Sequence, residues 1–129
     1  MKIDTLNSQE NLLTYLSETL NGCLTLSETL QNNQKGDFHI ILVGISELFS
    51  LYQSTKLYYL LNEKGEKDTD VLDFFTNFDE FYSEVKHYYL YDTKIFKKDF
   101  SNVSARKEDL VANYEKILVK LQNFGEENK

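Results

Sequence analysis

The stretch FHIILVGISELFSLYQSTKLYYLLN, residues 38–62, decides how this chain folds. At 100° per residue, Phe38, Ile41, Leu42, Ile45, Leu48, Phe49, Tyr52, Tyr59 and Leu60 fall on one stripe of a helix. A second apolar set lies outside that stripe: Ile40, Val43, Leu51, Tyr58 and Leu61. The helix is therefore apolar around most of its girth between Ile40 and Leu51. A helix of that kind is either central in a bundle or covered by a partner. Asp37 is placed to cap its start. Gly44 sits inside it, where glycine costs about 1 kcal/mol against alanine unless a close helix contact offsets the loss.

Three further segments carry the same periodicity. Upstream, a helix is expected from about Ser8, a suitable N-cap, to Asn33, with Leu12, Leu13, Leu16, Leu20, Cys23, Leu24 and Leu30 on one face. Gly36 punctuates its end. The pentapeptide Leu-Ser-Glu-Thr-Leu recurs at residues 16–20 and 26–30, but a spacing of ten matches no repeat architecture. Downstream of the charged loop at residues 63–68, Thr69 or Asp70 is expected to cap a helix over about Val71–Tyr91. That helix carries two stripes. One is Leu72, Phe75, Phe78, Tyr82, Val85 and Tyr89; the other is Phe74, Phe81, Tyr88 and Ile95, spaced by seven. Asn102-Val103-Ser104 interrupts the pattern, with Ser101 or Ser104 as a cap. A last helix is then expected over about Ala105–Asn123, with Leu110, Tyr114, Ile117, Leu118 and Leu121 as its narrow stripe.

No segment alternates as a strand does. Four helices of about twenty residues, each roughly 30 Å long, predict an all-α antiparallel four-helix bundle. Residues 93–100 leave room for a short extra helix. The whole chain, 1–129, reads as a single domain whose ends, 1–7 and 125–129, are expected to fray.

Composition bounds the function. The 129 residues include no proline, no tryptophan and five glycines, which disfavours a turn-dense sandwich or barrel. With 41% hydrophobic residues the chain can build a core without staples. The net charge of -7 disfavours duplex DNA and anionic membranes as partners. The longest apolar run, Ile40–Val43, is far too short to span a bilayer. A single cysteine, Cys23, and an N-terminus without a secretion signal predict a cytoplasmic protein. Thirteen lysines against one arginine, with eleven asparagines, match the codon bias of an AT-rich bacterial or phage genome.

The chemistry-bearing patterns are thin. Glu80, Glu84 and His87 share one helical face, and Glu84-x-x-His87 has the spacing of carboxylate-bridged dimetal bundles. Such a site needs a second Glu-x-x-His, and the other histidine, His39, has Gly36 three positions before it. Asp68, Asp70 and Asp73 are explained by a helix start rather than a calcium loop. No phosphate-binding loop or nucleophile elbow occurs. Cys23 falls on an apolar stripe, as a core residue does. The expectation is a protein that is not an enzyme and uses neither a metal nor another cofactor.

Aromatic residues stand out instead: nine tyrosines and nine phenylalanines, crowded into the second and third helices. One outcome is a thick aromatic core. The other is a partner-binding surface made of Ile40, Leu51 and Tyr58 with Phe74, Phe81, Tyr88 and Ile95. Base stacking would need basic residues among the aromatics; Lys86, His87 and Lys94 are offset by Glu80, Glu84 and Asp92. The turn Lys35-Gly36-Asp37-Phe38 between two helices resembles the first hairpin of flagellar and type III export chaperones. Those are small acidic helical proteins that hold an amphipathic segment of an exported client. The similarity covers one turn and a leucine pattern. The functional expectation is a small acidic binding protein, an adaptor, chaperone or inhibitor, with a basic or amphipathic protein partner. The alternative is a structural homodimer formed through the same surface.

Overall fold

A computed structural model describes residues 2–32, 38–62, 68–89 and 100–127, and side chains over 10–32, 39–61, 68–89 and 100–120. Four helices follow in order: α1 (Lys2–Gln31), α2 (Phe38–Asn62), α3 (Thr69–Tyr89) and α4 (Ser101–Glu127). No strand occurs among the described residues. The turn at residues 35–37 and the expected short helix at 93–100 lie outside them, apart from Phe38 and Phe100 at their edges.

The direction of each helix follows from its cross-contacts. Tyr15 meets Tyr58 and Thr19 meets Thr55, while Gly22 faces Leu48 and Gly44 faces Leu26, so α1 and α2 run antiparallel. Asn77 donates to Asn113, Arg106 pairs with Glu80, and Lys120 reaches back to Asp68, so α3 and α4 do the same. Tyr52 lies on Phe78 and Phe49 on Tyr82, which sets α2 against α3. Close packing of α1 on α4 completes the ring. The result is an all-α antiparallel four-helix bundle.

Two of the seams differ in thickness. The α1–α2 seam is thin because glycines lie in it. The α2–α3 seam is thick because aromatic rings fill it: Tyr52 is near Phe75 and Phe78, and Tyr59 is edge-on to Phe75. Rings of this size hold two helix backbones further apart than leucine does, and offset or edge contacts suit their quadrupoles. The Tyr52 hydroxyl donates to the Phe75 carbonyl at 3.3 Å, and the Asp68 N–H donates to the Tyr59 hydroxyl at 2.8 Å. Each buried phenol thus has a partner, as buried polar groups require.

Several helix ends differ from the sequence reading. α1 is helical from Lys2, so Ser8 lies within it rather than at its start. Asp68 caps α3, rather than Thr69 or Asp70: its carboxylate accepts from the N–H groups of Asp70 at 3.0 Å and Val71 at 3.4 Å. Asp70 then stands in the first turn, where a negative charge suits the helix dipole. α4 starts at Ser101, and Asn102-Val103-Ser104 does not interrupt it. Val103 is fully buried and begins the core row that continues through Leu110 and Ile117 at seven-residue spacing.

Candidate protein-docking surface

The expected partner surface divides into two parts. Phe74 and Phe81 have no solvent exposure, so no partner reaches them in this fold. The two stripes on α3 are the flanks of one buried arc. Phe75, Phe78 and Tyr82 meet the aromatic residues of α2. Val71, Phe74, Phe81 and Val85 are buried beside them, and Tyr88 packs its ring edge-on to Phe100 at the start of α4. A helix with two neighbours needs two seams, and that is where the apparent aromatic excess of α3 goes. Ile95 lies outside the described residues.

The second apolar set on α2 faces outward. Ile40 is 67% exposed, Val43 54% and Leu61 74%. Leu51 and Tyr58 are half-buried, with Tyr58 lying against Tyr15 of α1 at 4.9 Å between ring centroids. Of the six large aliphatic side chains exposed among the described residues, five belong to α2: Ile40, Val43, Leu57, Leu60 and Leu61. Among the described residues, Glu47 is the one charged side chain on the side that carries Ile40, Val43 and Leu61; Lys56 points away, its ammonium 5.9 Å from the Tyr52 ring.

Beside this stripe runs a crevice of about 670 Å³ between α1 and α2. Leu26 and Leu48, both buried, form its floor. Its α2 wall is Ile40, Val43 and Leu51, and its α1 wall is Asn21, Thr25 and Thr29. Gly22 and Gly44 line it. A Cβ on Gly22 would stand 2.8 Å from the Leu48 Cδ1, and one on Gly44 would stand 3.6 Å from the Leu26 Cδ1. Each leucine therefore covers a glycine of the other helix. The contact is tight only at Gly22; at Gly44 a Cβ would fit, so the propensity cost of that glycine is not offset by close packing.

The crevice has little reactive chemistry. Glu47 and His39 are its titratable lining groups. Cys23 is fully buried and not part of its lining, and burial pushes its thiol well above the ordinary 9.0. A buried neutral thiol is a poor nucleophile. On α3, the three residues of the half-motif have other engagements or separate positions. Glu80 pairs with Arg106 at 2.9 Å, and the His87 Nδ1 lies 2.8 Å from the Ser83 carbonyl oxygen. Among the described residues, no group of three His, Cys, Asp or Glu side chains is gathered to hold a metal ion. None of the described helices is long and apolar enough to cross a membrane.

Fold and surface together define a class, an antiparallel four-helix bundle with one apolar helix face left open. No protein-family model, curated protein or solved structure gives a significant match to this chain.

Proposed function

We propose that this protein acts by binding a helix of another protein chain, as an adaptor, chaperone or inhibitor does, and that it is not an enzyme. The docking surface is the outer face of α2 together with the crevice it shares with α1. The observation that carries this reading is the concentration of exposed aliphatic side chains on α2 around one carboxylate. Isolated exposed aliphatics are ordinary, but here Ile40, Val43 and Leu61, with the half-buried Leu51 and Tyr58 between them, share one side of one helix, which is a mark of an interaction site. An amphipathic helix fits such a row through anchors three, four and seven residues apart. The residue that faces Glu47 must be a hydrogen-bond donor, because a carboxylate left without a partner in an interface is costly.

Photo-crosslinking in cells that make the protein tests this reading. A benzophenone side chain at position 43 or 61 is expected to form protein adducts. The same group at Val119, exposed on α4, is expected to form none. Equal adducts from both faces, or none from α2, would overturn the assignment of the surface.

A further inference from the structure

We propose that the occupant of this face is α2 of a second copy of the chain, lying antiparallel about a two-fold axis level with the Ser50–Leu51 peptide bond. The proposal rests on the helix-docking reading and names the helix.

The row is self-complementary. Ile40 and Leu61 are equidistant from the Ser50–Leu51 bond, and both are exposed aliphatics. Val43 and Tyr58 are also equidistant from it, as are Glu47 and Ser54. An antiparallel copy therefore sets apolar against apolar at both ends. In the middle it sets the Glu47 carboxylate level with a serine hydroxyl that can donate to it. An isologous interface needs this property, because one patch must fit itself.

Charge selects the direction. In a parallel pair at the same height, Glu47 would oppose Glu47 of the partner copy. In the antiparallel pair the two carboxylates are seven residues apart along the axis, about 10 Å, which is near one Debye length at physiological salt. The chain carries a net charge of -7, so two copies repel over most of their surfaces. The outer face of α2 carries one carboxylate, Glu47, among its described side chains, so repulsion across it is small.

Area sets a further requirement. α2 has 25 residues and so extends about 37 Å, giving a footprint of roughly 400 Å² for one helix face. A stable dimer needs about 800 Å² from each partner. The neighbouring α1 wall, Asn21, Thr25 and Thr29, must supply the rest, beside Glu18 and Glu28 on the same side of α1.

Sedimentation equilibrium on the full chain tests the pairing. The wild type is expected to dimerise in a concentration-dependent way. Ser54→Lys places a cation level with Glu47 twice per dimer and should tighten association several-fold, up to about tenfold. Ser54→Glu should weaken it by a similar factor, and Glu47→Lys combined with Ser54→Glu should restore it. Ser54 is exposed, so these variants keep the bundle, which circular dichroism verifies. A wild type that stays monomeric up to its solubility limit overturns the proposal. So does a dimer whose affinity ignores the sign of the charge at position 54. A monomer that still forms α2 adducts with another protein removes the self-pairing and leaves the docking surface standing.

Discussion

Tyr52 of α2 stacks on Phe78 of α3 with ring centroids 3.9 Å apart and planes 11° from parallel. This stack is the centre of the thick seam between the two helical hairpins, α1–α2 and α3–α4. Burial, reinforced by the nearby Asp79 carboxylate, holds the Tyr52 phenol in its neutral form by raising its pKa. The neutral hydroxyl can then donate to the Phe75 carbonyl.

Removing the Tyr52 ring should therefore separate packing from hydrogen bonding. Tyr52→Ala is expected to destabilise the bundle by about 3–5 kcal/mol, the usual cost of deleting a buried aromatic ring. Tyr52→Phe keeps the stack and loses the hydroxyl, at a cost of about 1 kcal/mol. Urea unfolding of the two variants checks the difference. Equal losses would show that the ring contributes little beyond its hydroxyl.

Phe81 and Val43 make a contrasting pair. Phe81 is fully buried, and Val43 is more than half exposed. Phe81→Asp removes a large core side chain and buries a carboxylate, together exceeding about 5 kcal/mol, which is comparable to the stability of a small domain. The helical signal should collapse. Val43→Asp should change stability by no more than about 0.5 kcal/mol, as exposed substitutions usually do. Thermal melts followed by circular dichroism distinguish the two.

The two glycines of the α1–α2 seam should respond differently to alanine. At Gly44 the new Cβ makes ordinary contact with Leu26, so the gain in helix propensity, about 0.5–1 kcal/mol, should appear as added stability. At Gly22 the new Cβ crowds Leu48, a buried side chain that must turn aside. Overpacking costs about 1–3 kcal/mol and should cancel or exceed the propensity gain. Chemical denaturation of Gly22→Ala and Gly44→Ala measures both. A more stable Gly22→Ala than Gly44→Ala would contradict the seam geometry.

Cys23 predicts a pH dependence. Its folded pKa is raised above the ordinary 9.0, so the folded chain holds the thiol proton more tightly than the unfolded chain does. The contribution is fully present below pH 9. As pH rises past 9, the unfolded chain binds fewer protons than the folded chain, and stability falls toward the folded value of the pKa. Urea midpoints at pH 8, 9 and 10 should decline more steeply for the wild type than for Cys23→Ala. Native protein should also resist alkylation until it unfolds.

Periodicity made four helices legible, and the residue set that faces outward on α2 was legible with them. Ile40, Val43 and Leu61 fall off the main stripe of α2 in the sequence and are exposed in the fold. Leu60 was the exception, placed on the main stripe but 54% exposed. The α3 cap escaped because Asp68, Thr69 and Asp70 are all competent cap residues, and only backbone geometry chooses among them. Leu26 was missed on α1 because its role depends on Gly44 across the seam, which no single-helix pattern records.

The sequence by itself determined the helical class, because apolar residues recurring at helical spacing have no other way to share one core. It also determined that α2 and α3 carry more apolar surface than one seam consumes. Only the tertiary structure decided where each excess goes. A wheel gives the angular width of an apolar arc, and it does not give the number of neighbours that arc meets. α3 meets two neighbours and buries Phe75, Phe78 and Val85 of one stripe and Phe74 and Phe81 of the other. α2 also meets two, but Ile40, Val43 and Leu61 face neither and are left exposed, with Leu51 and Tyr58 half-buried between them.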